Sequence, residues 1–107
     1  MKGKHLGEFE ELVLLAVRHL GTDASVLAIK NLLDTAARRK ASLGAIYAAL
    51  DRAERKGLSE SRLGEALPEP GGRARRYYAL TAAGESALAE SRSVREQLWL
   101  GPGEIVP

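Results

Sequence analysis

Residues 71–84, GGRARRYYALTAAG, open on two glycines and continue with three arginines, two tyrosines and a threonine. In an extended chain, residues 73–80 alternate between two faces of a strand. One face carries Arg76, Tyr78 and Leu80, and the other carries Arg73, Arg75, Tyr77 and Ala79. Thr81 follows, at a position where its hydroxyl can cap a helix. The stretch therefore predicts a strand that leads directly into a helix.

The residues before this strand predict a turn and a partner strand. Residues 68–72, PEPGG, combine prolines, which cannot donate to a ladder, with glycines that permit positive φ. Residues 58–63 predict a short strand, in which Leu58 and Leu63 share a face only if a bulge lies between them. Because Tyr78 shares its face with Leu80, we expect Tyr78 to point inward. The expected partner of Arg76 is an acidic group on the neighbouring strand.

Three helices are predicted before the hairpin and one after it. Apolar residues recur at helical spacing in residues 8–20, 26–38 and 43–56, and a glycine follows the first and the third segment. Thr22 and Asp23 are the predicted caps of the second helix, Ser42 of the third and Thr81 of the fourth. The order of elements predicts a winged helix-turn-helix, a mainly α fold with a small β-hairpin.

The composition fits one small domain. The chain has 107 residues, of which 45% are hydrophobic, and no cysteine. A core of this size gains stability from a partner surface, most simply that of a second copy. The apolar run near the start is too short for a signal peptide or a membrane span, so we expect a cytosolic protein without membrane contact. We divide it into a winged helix-turn-helix region (1–80), a C-terminal helix (81–100) and a tail (101–107).

The residue types argue against an enzyme or a metal protein. His5 and His19 lie far apart and have no further ligand at zinc-like spacing, so we expect no metal and no cofactor. Nothing resembles a nucleophile elbow, and GGRARR lacks the Gly-Lys-Ser/Thr ending of a phosphate loop. The net charge is only +2, but basic residues gather in residues 38–56 and 73–76, which predicts a basic side.

Residues 43–58, LGAIYAALDRAERKGL, together with residues 71–84, resemble the PadR family of bacterial transcriptional regulators. The shared features are a Gly-x-Ile-Tyr helix, an arginine-rich wing, a Tyr-Tyr strand and a Leu-Thr-x-x-Gly helix start. The resemblance runs from Leu6 to Trp99 and is to the compact members, which dimerise through the terminal and first helices. Ala48 and Ala53 stand where the family often has proline and leucine, and Ala53 predicts shallower packing behind the third helix.

Double-stranded DNA is the partner that the resemblance and the charge pattern imply. The third helix would enter the major groove, with Gly44 and Ala45 allowing close approach, while basic side chains contact phosphates. Tyr47 either donates its hydroxyl to a phosphate or packs half-buried. The predicted DNA-binding residues are Arg38, Arg39, Lys40, Ser42, Gly44, Ala45, Tyr47, Ala48, Arg52, Arg73 and Arg75.

The terminal helix carries an apolar stripe that predicts a homodimer bound to an inverted-repeat operator. The predicted interface residues are Phe9, Leu12, Leu88, Ser91, Val94, Arg95, Leu98 and Trp99. In compact PadR members a tryptophan on this helix can line a cavity for flat hydrophobic compounds, and Trp99 resembles it in position. Trp99 therefore either lines such an effector pocket or packs on the partner helix. The family implies a repressor.

The main alternative is a winged-helix module that binds another protein and never contacts DNA. Basic residues on the third helix and the wing favour DNA. Binding that weakens with added salt would separate the two functions, because phosphate contacts release counterions.

Overall fold

A computed structural model describes residues 6–66 and 74–101 and shows four helices with a two-stranded antiparallel hairpin. The helices are α1 (Glu8–Leu20), α2 (Val26–Thr35), α3 (Leu43–Arg55) and α4 (Ala82–Leu100). Strands β1 (Ser59–Ala66) and β2 (Ala74–Leu80) lie between α3 and α4, and a 3-10 turn, Gly21–Asp23, joins α1 to α2. The predicted mainly α winged helix-turn-helix is confirmed.

Hydroxyl side chains cap three of the helices. Ser25 Oγ accepts a hydrogen bond from Ala28 N (3.2 Å), Ser42 Oγ from Ala45 N (3.0 Å) and Thr81 Oγ1 from Gly84 N (3.1 Å). The predicted caps Ser42 and Thr81 are therefore correct. The prediction of Thr22 and Asp23 as caps of α2 is wrong, because both lie in the 3-10 turn and α2 begins only after Ser25.

Helix α2 ends earlier than predicted. Its last residue is Thr35 instead of about Arg38. Arg38 has φ +51°, which lies outside the helical region and turns the chain away from the axis of α2. Arg39 N then donates to Leu33 O at 2.9 Å, so the connection to α3 folds back onto the end of α2.

The two strands of the wing pair with an irregular register. Arg62 lies opposite Tyr77, and the register shifts between Leu63 and Ala66. The predicted irregularity is present, but it follows Leu63 instead of lying between Leu58 and Leu63. Leu63 lies opposite Arg76, on the face that carries Tyr78, but further from the core, and it is 60% exposed.

The wing is attached to the helices through β2. Tyr78 is buried, as predicted, and its backbone N–H donates to Ala24 O at 2.9 Å. Tyr77 forms an isolated bridge with Ser25, the residue that caps α2. The base of the wing is therefore held against the start of α2.

The hydrophobic core has two parts. The larger part lies between α1, α2, α3 and β2 and includes Val13, Val17, Ile29, Leu33, Ile46, Leu50 and Tyr78. The smaller part contains Leu14, Ala53, Leu58 and Leu88, where leucines fill the space around the small, fully buried Ala53. Because Leu88 belongs to this cluster, the first half of α4 packs on the same core as α1. The division at residue 80 stays a prediction.

Helix α4 is buried at its start and exposed at its end. Gly84 lies against the Leu58 carbonyl oxygen so closely that a Cβ would overlap it. Thr81 N donates to the same oxygen at 3.1 Å, and Thr81 Oγ1 donates to Gly57 O at 2.6 Å. By contrast, every residue from 92 to 100 is exposed. None of the described helices combines the length and apolar character needed to cross a membrane.

Candidate nucleic-acid interface

The first two turns of α3 expose three small residues. Gly44, Ala45 and Ala48 are exposed, whereas Ile46 and Leu50 on the opposite face are fully buried. A Cβ built on Gly44 would meet only Ser42 Oγ, at 4.0 Å. The backbone of this helix can therefore approach another surface closely.

Tyr47 lies on the same exposed face and is 53% exposed. It borders a groove of about 440 Å³ between α3, the start of α2 and the wing. The groove is lined by Ser25, Val26, Leu27, Tyr47, Leu63, Ala74, Arg75 and Arg76. The Tyr47 hydroxyl is thus accessible from outside, as contact with a phosphate requires.

The three basic residues before α3 differ in their surroundings. Arg38 and Lys40 are exposed. Arg39 is half-buried, with its guanidinium 5.1 Å from the centre of the Phe9 ring and Nη1 3.9 Å from Glu8 Oε1. Arg39 therefore packs on α1, while the other two are free to meet an external anion.

Further along α3, the charged residues divide in the same way. Arg55 Nη2 lies 3.1 Å from Asp51 Oδ2, one turn back on the helix. Arg52 is exposed and makes no ion pair with any residue in the described ranges. Of the two arginines, Arg52 is the one available to a partner.

The wing places Arg75 at its exposed end, whereas Arg73 lies outside the described residues. Arg76 Nη1 donates to Ser61 Oγ at 3.0 Å, and Ser61 Oγ donates to Glu54 Oε2 at 3.2 Å. The expected acidic partner of Arg76 on the neighbouring strand is therefore incorrect. The strand offers a hydroxyl, and the carboxylate comes from α3.

A second exposed region lies between α1 and the last turns of α4, where a groove of about 790 Å³ is lined by Leu15, Leu88, Trp99 and Leu100 among others. Trp99 is 88% exposed and Leu98 78%. Val94 is also exposed, and Ser91 is half-buried.

The remaining predicted interface residues make contacts within the protomer. Phe9 and Leu12 are half-buried against the main core, and Leu88 is buried in the smaller one. Arg95 binds Glu11 through two hydrogen bonds, from Nη2 at 2.8 Å and from Nε at 3.3 Å. The free surface of α4 is therefore concentrated at Val94, Leu98 and Trp99.

The fold agrees with comparisons to known proteins. The model of the transcriptional regulator PadR-like family matches residues 14–90. The chain belongs to this family. No protein with a curated description matches its sequence.

Solved PadR structures share the fold. A PadR-like transcription factor from Bacteroides fragilis has 29% identity and a TM-score of 0.71, with 84% of this chain and 82% of that chain covered. A PadR family regulator from Eggerthella lenta has 25% identity and a TM-score of 0.67, with 90% and 83% covered. Bacillus subtilis PadR in complex with operator DNA has 19% identity and a TM-score of 0.65, with 94% of this chain and 50% of that chain covered.

Two carboxylates of this PadR-like regulator were not recognised as structural from the sequence. Glu10 and Glu11 are adjacent and both buried. Glu10 Oε1 lies 2.9 Å from Nζ of Lys56, the residue that ends α3, while Glu11 binds Arg95 on α4. Acidic residues in a first turn are usually explained by the helix dipole. Here their ion pairs join α1 to the end of α3 and to α4.

The Arg95 pair also changes the ionisation of Glu11. Hydrogen bonds from Arg95 lower the pKa of the Glu11 carboxyl below its ordinary value, against the opposing effect of burial. The same pair raises the pKa of Arg95. Both groups are therefore charged at neutral pH.

Arg62 is a further wing residue that sequence analysis missed. Its guanidinium lies 4.9 Å from the centre of the Tyr77 ring, and Nη2 donates to Thr22 O at 3.3 Å. It thus links the wing to the turn before α2, across from the contact that Arg76 makes with Ser61. The strand alternation places Tyr77 outward, which is the signal that could have identified a cation above its ring.

Proposed function

We propose that this PadR-like regulator is a repressor that binds double-stranded DNA as a homodimer. In this proposal α3 enters the major groove and Arg75 holds the wing on the backbone. Gly44 carries the argument. It occupies an exposed helical position with open space around it, so the fold does not require a glycine there. A helix that enters a DNA groove does require a glycine there, because a side chain would keep its backbone away from the groove.

The free cations support contact with phosphates. Arg38, Lys40, Arg52 and Arg75 are exposed and form no ion pair among residues 6–66 and 74–101. Arg38 and Lys40 lie on the loop before α3, Arg52 lies in its third turn, and Arg75 lies on the wing. In a dimer they provide about eight phosphate contacts, which predicts a slope of about −7 for log K against log salt concentration.

Dimerisation explains the exposed end of α4. Val94, Leu98 and Trp99 are exposed apolar residues that a second copy can cover. A two-fold axis near these residues places two α3 helices on two half-sites, so the operator is an inverted repeat. In this arrangement residues 1–80 form the DNA-binding region and α4 is the dimerisation helix.

Trp99 also supports a regulatory role for the groove beside it. A flat hydrophobic compound bound against its exposed ring would favour one dimer geometry over others and so change the spacing of the α3 helices. The alternative is that Trp99 only packs on the partner's α4. These two roles of Trp99 are distinguished by measuring how strongly planar dyes quench its fluorescence in the wild-type protein and in Leu98→Asp.

The decisive experiment measures the affinity for a random-sequence 30-base-pair duplex between about 50 and 200 mM salt. We expect affinity to fall by several orders of magnitude over this range. Arg75→Ala removes two contacts per dimer and should reduce the slope by about 2, equally for all sequences. Arg18→Ala is the control for loss of a surface arginine, because Arg18 on α1 pairs with Glu85 on α4 and borders the base of the wing, not the groove that Arg75 lines. Adding Arg73→Ala extends the test to the wing tip.

Affinity that does not respond to salt would contradict DNA binding and favour the protein-binding module. An unchanged slope in Arg75→Ala would remove the wing from the interface while leaving α3 in it.

A further inference from the structure

The first two turns of α3 expose very few hydrogen-bonding atoms. The exposed residues there are Leu43, Gly44, Ala45, Tyr47 and Ala48, preceded by the cap Ser42. Their side chains carry only two polar atoms, the hydroxyl oxygens of Ser42 and Tyr47. Ser42 Oγ already accepts a hydrogen bond from Ala45 N.

Side chains able to pair with a base through two hydrogen bonds occur only in later turns. Asp51 is paired with Arg55. Arg52 lies in the third turn of the helix, whereas the N-terminal residues of a recognition helix are the ones that reach base edges. The part of α3 that reaches furthest therefore lacks the groups that form bidentate contacts with guanine or adenine.

What this part of α3 does expose is apolar. Leu43, the first residue of the helix, is 43% exposed although it is a large aliphatic side chain. It follows the exposed cations Arg38 and Lys40 in the chain, so a surface that covers all three must be polyanionic overall. The major groove of DNA is polyanionic and offers one apolar group, the 5-methyl of thymine.

We infer that α3 selects its half-site through apolar contacts with thymine methyl groups, with Leu43 making the largest contact. Ala45 and Ala48 make smaller contacts of the same kind. This inference rests on the proposed function, because it requires α3 in the major groove. The cations and Tyr47 then supply affinity without sequence preference.

The test begins with an operator obtained by selecting bound fragments from random DNA. Each thymine of one half-site is replaced in turn by deoxyuridine, which removes the methyl group and keeps the base pair. Wild-type protein should bind about fourfold more weakly for each methyl group that is buried. In Leu43→Ala, the loss at one of these positions should disappear, because the side chain that covers the methyl group is gone.

Tyr47→Phe is the matched variant on the same helix. It should weaken binding to the thymine and deoxyuridine duplexes equally, so that their ratio stays that of the wild type. If Leu43→Ala does not keep the circular dichroism spectrum of the wild type, Leu43→Asn takes its place. The deoxyuridine series on wild-type protein needs no variant.

Two results would overturn the inference while DNA binding stands. One is a selected half-site in which deoxyuridine leaves wild-type affinity unchanged at every position. The other is loss of sequence preference in Arg52→Ala with no effect of Leu43→Ala. Failure to bind any duplex at low salt would instead contradict the proposed function itself.

Discussion

The starts of α3 and α4 are similar in sequence and opposite in surroundings. Each follows a hydroxyl residue that caps the helix, and each has a glycine in its first turn. Gly84 lies against the Leu58 carbonyl with no room for a Cβ, whereas a Cβ on Gly44 would meet nothing closer than 4.0 Å. Gly84 is required by packing within the chain. Gly44 leaves a surface that the chain itself does not use.

Helix α4 shows the same contrast along its own length. Leu88 is 5% exposed and Leu98 is 78% exposed, although both belong to one apolar stripe. The stripe is therefore divided between the protomer's own core and an open end. Exposed small residues beside cations suit a polyanion, while exposed large apolar residues suit a second apolar surface.

Gly84→Ala should have the largest effect. The added methyl group overlaps a backbone oxygen that cannot move without disturbing β1, so we expect a loss of about 3 kcal/mol or more in unfolding free energy. Urea denaturation measures it, with Gly44→Ala as the matched change. Equal stability of the two variants would show that the starts of α3 and α4 do not differ as described.

Leu98→Asp should abolish the dimer without unfolding the protomer. The carboxylate would be buried unpaired in the proposed interface, yet Leu98 has few contacts within the chain. Sedimentation equilibrium should show monomers, and operator affinity should fall by about a hundredfold as bivalent binding is lost. Ser86→Asp, at an exposed position near the start of α4, controls for the added charge. A surviving dimer would place the interface elsewhere.

Gly44→Ala should change stability and DNA affinity in opposite directions. Alanine favours the helix by about 0.5 kcal/mol over glycine, so the melting temperature should rise slightly. The methyl group would hold α3 away from the groove, and operator affinity should fall by about tenfold. Thermal melting and fluorescence anisotropy measure the two effects. A stabilised variant with wild-type affinity would mean that this surface does not meet DNA closely.

The smallest expected effect concerns Glu11 and pH. Because Arg95 lowers the folded-state pKa of Glu11, the ion pair stabilises the fold above the unfolded pKa and this contribution is lost as pH falls through the folded pKa. Glu11→Gln should thus melt a few degrees below wild type at pH 7, and the difference should shrink below about pH 4. Glu85→Gln should change less, because the Glu85 side chain is 52% exposed and that of Glu11 only 11%. A difference independent of pH would rule out the charge as its cause.

Local patterns predicted the helices, the caps at Ser42 and Thr81 and the inward Tyr78, because each depends on neighbours in the sequence. The cap of α2 was missed because three of the four residues from Thr22 to Ser25 can cap a helix, and only the backbone decides among them. The acidic partner of Arg76 was expected on β1, but Arg76 donates to Ser61 and the carboxylate that Ser61 binds is that of Glu54 on α3, a contact that strand alternation does not describe.

The candidate site was predicted less completely than the fold. A stripe on α4 does not reveal where the protomer's own core ends, so Leu88 and Leu98 look equivalent in sequence. Likewise, the adjacent cations Arg38 and Arg39 differ only because Arg38 adopts positive φ and Arg39 packs over Phe9. Separating free residues from engaged ones required tertiary contacts.

The anchored start of α4 gives the helix the properties of a lever. Its 19 residues span about 28 Å, with Thr81 and Gly84 as the pivot. A rotation of about 5° at that pivot moves the far end by ~2.5 Å over this length. In the proposed dimer the far ends of the two α4 helices are held together. The same rotation therefore displaces the two α3 helices instead. This displacement approaches the rise of one base pair, roughly 3.4 Å. An angular change too small to disturb the core is thus large enough to put the α3 helices out of step with their operator.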